Sequence, residues 1–276
     1  MSHKIITRRL EIKTYNDFDN FFLDFILPFV ENAALHHLLK SWHFEKKDSE
    51  NIQLIFKGDG SVIDNILIPE LNQLHRDLWL YPLKNLSIQF QLFKPIEISG
   101  IQKSFLENEI EENKITGDFL EQLFFLTSVS MGGWLRTYLH HNIVERTSGV
   151  LLYYLGLIYI LEETNEKRAS ILKKIHSEND LHLSINEHFH NALVVFGRRL
   201  MKLLKTDEQF AQKFYNEWLG SLRNRFSASF EEKKETLLDS KVEVCKIYKK
   251  YLINIFDLEQ TIYENVIDKI ALATLN

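Results

Sequence analysis

The placement of proline constrains the fold of this 276-residue chain more than any other feature. All four prolines lie in the first 95 residues, at Pro28, Pro69, Pro82 and Pro95, and the remaining 181 residues contain none. Proline interrupts a helix interior because it lacks a backbone N–H and its ring clashes with the preceding turn. The sequence therefore predicts a helical subdomain over residues 101–276 and a separate subdomain over residues 1–100.

The first hundred residues alternate between strand and helix patterns. Enrichment in β-branched residues and alternating apolar residues predict strands at 4–14, 42–47, 51–57 and 86–93. Apolar residues at helical spacing predict helices at 15–40 and 61–78, with breaks at Pro28 and Pro69. The order β-α-β-β-α-β predicts a ferredoxin-like sandwich, with helices on one face of an antiparallel sheet. The predicted fold class is thus α+β, with the sandwich and the helical bundle packed together as one unit.

Helix-capping patterns dominate the second part of the chain. A serine or threonine followed three residues later by Glu or Gln predicts a helix start. This pattern occurs at Ser104, Ser184, Thr206 and Ser240. Gly220 is predicted to end the helix that begins at Asp207. Together with the apolar periodicity, these signals predict about seven helices after residue 104.

Composition excludes several classes of protein. A formal net charge of −5 gives no general attraction to nucleic acid, and a single cysteine, Cys245, excludes a disulfide framework. The longest uncharged stretch, 147–161, has 15 residues, whereas a membrane span needs about 20. The N-terminus lacks the apolar core of a signal peptide. We therefore expect a cytoplasmic protein without nucleic-acid or membrane partners; whether it forms a homodimer stays open.

Metal and cofactor motifs are weak. His188 and His190 stand two residues apart in a predicted helix, so they point to different sides and do not share an ion easily. Glu187 and His190 have the spacing of a di-iron bundle, but the sequence holds no second such pair. The double glycine after Met131 either breaks a helix or lets the backbone approach a ligand, and it matches no nucleotide-binding motif. We predict no metal and no cofactor.

Two groups of residues are candidates for chemistry. Tyr138, His141 and Glu145 are spaced by three and four residues, which predicts a phenol, an imidazole and a carboxylate on one helix face. Such a face could relay protons, or it could simply be an exposed polar surface. The pairs Arg198-Arg199 and Arg223-x-Arg225 could bind carboxylate or phosphate, or stabilise helix ends.

Several segments, taken together, resemble one known family. They are residues 22–30 (FLDFILPFV), 39–47 (LKSWHFEKK), 51–56 (NIQLIF), 93–100 (FKPIEISG) and 121–128 (EQLFFLTS). In this order they resemble the C-terminal domain of lanthipeptide dehydratases, also called the thiopeptide-type bacteriocin biosynthesis family. The resemblance spans residues 4–165, is one of pattern, and implies an elimination-domain-like unit that acts on a ribosomally made peptide.

The chain departs from that family at its basic residues. Lys46 stands in place of one strand arginine, and Gln53 and Ile55 replace two others. A late His-Met-x-x-Asn-Arg motif is matched only by Asn224-Arg225. Arginine recognises a planar carboxylate with paired hydrogen bonds that lysine and glutamine cannot reproduce. Standard glutamate elimination is therefore not expected.

The same superfamily contains stand-alone pyridine synthases, which have lost those arginines. They join two dehydroalanines of a precursor peptide, then expel water and the leader peptide. The resemblance therefore implies a macrocyclising enzyme whose partners are a precursor peptide with its leader and a dehydratase. By their chemistry, we select Tyr138, His141 and Arg146 for catalysis, and Lys46, Gln53, Arg198 and Arg225 for substrate binding.

Two alternatives remain open at this stage. A divergent member of the family could bind a leader peptide or a dehydratase without catalysing any reaction. An unrelated helical interaction protein would lack the β-α-β-β-α-β pairing of the first hundred residues.

Overall fold

A computed structural model describes residues 4–13, 18–47, 51–80, 97–98, 117–137, 142–176, 186–206, 217–222 and 237–275. The chain divides into two compact units, Met1–Gln102 and Lys103–Asn276. Most described residues are helical, and a small antiparallel sheet lies in the first unit. The predicted α+β class is confirmed at this level.

The sheet of the first unit contains three long strands and one short one. They are β1 (Ile5–Lys13), β2 (Ser41–Lys46), β3 (Asn51–Asp59) and β4 (Glu97–Ile98). The spatial order is β2-β3-β1-β4, and every pair of neighbours is antiparallel. The strands predicted at 4–14, 42–47 and 51–57 are therefore confirmed, while the strand predicted at 86–93 lies outside the described residues. This pairing also excludes a first unit made only of helices.

Two helices of the first unit share an unusual feature next to their prolines. Helix α1 spans 18–35 and contains a π-helical turn at Phe22–Ile26; helix α2 spans 60–80 and contains one at Ile63–Leu67. Pro28 and Pro69 each stand two residues beyond the end of that turn. A wider turn relieves the clash of the proline ring with the carbonyl four residues earlier. At Pro28 and Pro69 the predicted breaks are thus local π-helical turns, and each helix continues past its proline.

One face of the sheet packs against both helices. Its buried residues are Leu10, Ile12, Trp42, Phe44, Ile52, Leu54 and Phe56. The ring of Phe44 lies 4.7 Å from that of Phe22 in α1, centroid to centroid. From the same face, Arg8 donates two hydrogen bonds to the carboxylate of Asp64 in α2, at 2.8 and 2.7 Å. This ion pair lowers the pKa of Asp64 below its usual value.

The second unit is helical throughout its described residues. Its helices are α3 (Gly117–Thr137), α4 (Ile143–Leu161), α5 (Asn165–His176), α6 (Glu187–Thr206), α7 (217–222), α8 (Leu237–Ile255) and α9 (Gln260–Leu275). Helix α4 is long and apolar enough to cross a membrane by length and composition alone. It contacts α5, α6, α8 and α9 and is mostly buried, as expected for the central helix of a bundle.

The observed helix ends differ from several predictions. Asn186, not Ser184, caps α6, because its side chain accepts from the backbone N–H groups of His188 and Phe189. Ser240 lies inside the first turn of α8, not at the position before the helix. Gly220 lies within α7 rather than after it. The double glycine Gly132-Gly133 lies inside the unbroken helix α3, so tertiary packing overrides its tendency to break a helix there.

Gly149 provides a test of how closely α4 packs against Phe256, the residue after α8. A Cβ atom at this position would lie 2.3 Å from Cε1 of Phe256, whose fully buried ring is packed edge-on against Trp134. Overpacking of this kind costs about 1–3 kcal/mol, against a gain in helix propensity of about 1 kcal/mol. We expect Gly149→Ala to lower the free energy of unfolding, measured by denaturant titration.

Gly220 is the matched control, because no atom lies within 4 Å of a Cβ built there. Gly220→Ala should raise stability by up to about 1 kcal/mol through helix propensity alone. Equal effects of the two substitutions would contradict the close contact between α4 and Phe256.

Candidate functional site

The second face of the sheet carries polar side chains at successive register positions. Strand alternation places His43 and Glu45 of β2, Gln53 of β3, and Arg9 and Glu11 of β1 on this face. Glu45, Gln53 and Glu11 lie opposite one another across the three strands. These five residues define what we call the polar sheet face.

Three residues of the polar sheet face are buried. The exposed fractions of His43, Glu45 and Gln53 are 8%, 8% and 9%. The imidazole Nε2 of His43 lies 4.0 Å from Oε1 of Glu45. Polar groups are seldom buried on a strand without a structural or chemical role. An imidazole next to a carboxylate is a combination that can move protons.

Carboxylates flank Gln53 on both sides. Glu45 and Glu11 are its two cross-strand neighbours, and Lys47 Nζ neutralises Glu11 at 2.6 Å from Oε2. Arg9 stands on the same face of β1, two residues from Glu11, so this face carries basic as well as acidic side chains around Gln53.

Lys46 and Gln53 do not lie together. Lys46 opposes Ile52 in the ladder, so its side chain emerges on the helix-covered face, where Nζ sits 4.1 Å from the centroid of the Phe18 ring. Gln53 opposes Glu45 and points to the polar sheet face. A strand shows its alternate residues to opposite sides. Lys46 and Gln53, which were both predicted to bind substrate, thus lie on opposite faces of the sheet.

Two predicted site arginines bind carbonyl groups at helix ends. Arg146 Nη1 donates to the carbonyl of Phe256, just after α8, at 3.2 Å. Arg198 Nη2 donates to the carbonyl of Ala273, in the last turn of α9, at 3.2 Å. Helix C-termini leave carbonyls without helical partners, and basic side chains commonly satisfy them. These contacts give both arginines a structural role.

The other predicted site residues lie outside the described part of the chain. They are Tyr138, His141 and Arg225. Asn142 has an extended backbone as the cap of α4, so Glu145 lies in a helix that begins after residue 142. Asn142 and Glu145 form a complete capping box, which gives Glu145 a role at the start of α4.

A cluster of hydroxyl groups joins helices of the second unit. Thr127 Oγ1 lies 2.7 Å from the hydroxyl of Tyr248 and accepts from Trp218 Nε1 at 3.2 Å. Ser128 Oγ lies 2.9 Å from the hydroxyl of Tyr251. All of these side chains are fully buried or nearly so. Hydroxyls that satisfy one another in a core hold helices in register, and we assign this cluster a structural role.

A buried ion pair joins α8 to α9. Lys249 Nζ donates to Asp268 Oδ2 at 2.5 Å, and the hydroxyl of Tyr154 donates to Asp268 Oδ1 at 3.2 Å. Burial raises the pKa of Asp268 above its usual value, against the opposing effect of Lys249. Burial also raises the pKa of the Cys245 thiol, which disfavours its reactive thiolate form.

A groove of about 680 Å³ lies between α1 and α2 in the first unit. Its floor includes Phe25 and Phe29, and Asp24 and Glu70 line its sides. It lies away from the polar sheet face, because both helices cover the opposite side of the sheet.

His43 and Glu45 belong to the 39–47 segment of the resemblance but are not among the residues predicted for the site. The alternating pattern Trp42-His43-Phe44-Glu45 already places the imidazole and the carboxylate on one face. Their burial depends on the rest of the fold and was not visible in the pattern.

Comparisons with known proteins give matches in structure only. No family model matches the sequence, and no curated protein matches it. The structure titled "Crystal structure of TsrL" superposes with a TM-score of 0.57 at 11% identity, covering 98% of this chain and 94% of that one. The pyridine synthase TbtD, from thiomuracin biosynthesis, superposes with a TM-score of 0.57 at 10% identity, covering 97% of this chain and 96% of that one. At these identities the likeness shows the fold.

Proposed function

We propose that this chain is a tailoring enzyme of ribosomally made peptides, and that it closes a pyridine ring in a dehydroalanine-containing precursor with release of the leader. The observation that carries the proposal is the likeness to a pyridine synthase over 97% of the chain. The sequence resemblance to the lanthipeptide dehydratase C-terminal domain points to the same superfamily independently.

The replacement of the family's strand arginines supports ring formation over glutamate elimination. Elimination releases a carboxylate, which needs cationic hydrogen-bond donors. Gln53 and Ile55 stand where the resemblance places two arginines that would serve this purpose. A neutral amide fits this environment, because the carboxamide of Gln53 can donate to a carbonyl oxygen and accept from an N–H.

The first unit is also part of the proposal. We infer a ferredoxin-like sandwich there, supported by the strand order β2-β3-β1-β4 and by two helices on one face. The two units are proposed to act as one elimination-domain-like enzyme. Its substrate is a precursor peptide with its leader, and a dehydratase would supply the dehydroalanines.

The reaction makes three demands on the protein. It must hold two dehydroalanines in contact, polarise an amide oxygen toward the iminol form, and move protons as the ring becomes aromatic. Tyr138, His141 and Arg146 remain proposed for the last two tasks. Gln53, Lys46, Arg198 and Arg225 remain proposed for substrate binding, with Gln53 best placed among the described residues.

The test is to incubate the purified chain with a precursor that carries two dehydroalanines and its leader. We expect a product that has lost water and the leader, detected by mass spectrometry. A second arm offers a glutamylated precursor and should show no loss of glutamate. Loss of glutamate with no ring product would contradict the proposed reaction.

A non-catalytic homologue that only binds leader or dehydratase is the second candidate. It is favoured by the helix-end contacts of Arg146 and Arg198, which engage two of the proposed site residues elsewhere. Tight binding of the unmodified precursor with no turnover of the dehydrated one would support this candidate.

A further inference from the structure

We propose that His43 is the acid and base of the water-loss step of ring aromatisation, in addition to the roles proposed above for Tyr138, His141 and Arg146, and that Glu45 is its positioning residue. This role rests on the proposed function. The two side chains share one face of β2, both are 8% exposed, and they approach to 4.0 Å.

The neighbours of this pair suit the role. Gln53 lies directly across from Glu45, and Ile55 lies directly across from His43. In this proposal the carboxamide of Gln53 holds a substrate amide beside the imidazole of His43. His43 and Glu45 are each only 8% exposed, so little water competes for their polar contacts.

The step balances in atoms and electrons. In the loss of water, the carbon–oxygen bond of the ring carbinol breaks, and its electron pair leaves with the oxygen. The oxygen takes a proton from the His43 imidazolium and departs as water. The adjacent ring carbon gives a proton to the neutral imidazole, and its former C–H electron pair becomes the new ring double bond. His43 ends as imidazolium again, and the Glu45 carboxylate, with Oε1 4.0 Å from Nε2, offsets part of its positive charge.

The test compares conservative variants of this pair in the ring-forming assay. His43→Asn should lower kcat by about 10²–10⁴-fold, as is typical for loss of a general acid–base group, with precursor binding unchanged. Glu45→Gln should lower kcat less, also without weakening binding. The matched controls are His36→Asn and Glu31→Gln, at exposed positions in the same unit, which should keep wild-type kcat.

Chemical rescue separates a catalytic from a structural role. Added imidazole should restore part of the activity of His43→Ala and none of that of Glu45→Gln. Thermal unfolding shows whether each variant is folded. If a His43 variant is unfolded, His43→Gln is measured in its place. A near-wild-type kcat in folded His43 variants, or no rescue by imidazole, overturns this inference. The proposed function stands in that case if the wild-type protein forms the ring product. A wild-type protein that forms no ring overturns both.

Discussion

Lys249→Met is expected to destabilise the chain by about 3–5 kcal/mol, because it leaves the Asp268 carboxylate buried without its counter-ion. Lys249 and Asp268 are 2% and 0% exposed, so water cannot replace the lost ammonium group. Denaturant titration monitored by circular dichroism measures the effect. Lys167→Met, at an exposed position on α5, is the control and should change stability by less than about 0.5 kcal/mol.

A double variant separates the cost of the charge from that of packing. Lys249→Met combined with Asp268→Leu removes both charges and should recover most of the loss, because well-packed apolar groups often replace a buried ion pair without penalty. The hydroxyl of Tyr154 then lacks its acceptor, which leaves a deficit of about 1 kcal/mol. A single Lys249→Met variant as stable as the wild type would contradict the buried ion pair.

Phe44→Ala is expected to cost about 3–5 kcal/mol, since it empties a fully buried position between the sheet and α1. The ring contacts Phe22 and Phe18, at centroid distances of 4.7 and 5.5 Å. Phe44 also stands between His43 and Glu45 in β2. The cavity should therefore disturb the polar sheet face and lower any ring-forming activity together with stability.

Leu35→Ala is the control for this truncation, because Leu35 is 76% exposed at the end of α1. It should change neither the unfolding free energy, beyond about 0.5 kcal/mol, nor activity. Equal losses for Phe44→Ala and Leu35→Ala would contradict the assignment of the sheet face that packs against α1.

Local pattern was enough to predict β1, β2, β3 and the two helices of the first unit, while the strand predicted at 86–93 lies outside the described residues. Strand-forming residues along 42–47 and 51–57 predicted both strands of the hairpin. The π-turns before Pro28 and Pro69 were not foreseen, since a proline in a helical pattern predicts a break and not the form it takes.

The candidate site was harder to predict because its contacts are distant in sequence. Arg146 binds a carbonyl 110 residues away, and Arg198 binds one 75 residues away. No local pattern reports an acceptor so far away in sequence. The capping box at Asn142 begins with asparagine, whereas the sequence pattern used to predict helix starts begins with serine or threonine.

For His43 and Glu45, local pattern predicts the shared face but not the burial. The sequence places them on one face, but only the fold shows that this polar face is buried. A polar strand face normally signals solvent exposure, and burial reverses that interpretation.

The most direct measurement is the mass of the leader fragment released from a dehydrated precursor. Expulsion of the leader during aromatisation breaks the bond between a ring carbon and the amide nitrogen outside the ring that carries the leader. That nitrogen therefore leaves with the leader as a C-terminal carboxamide. We predict a leader carboxamide together with an equal amount of ring product that has lost water. A leader ending in a free carboxylate, or an unchanged precursor, would contradict the proposal that this chain closes the pyridine ring.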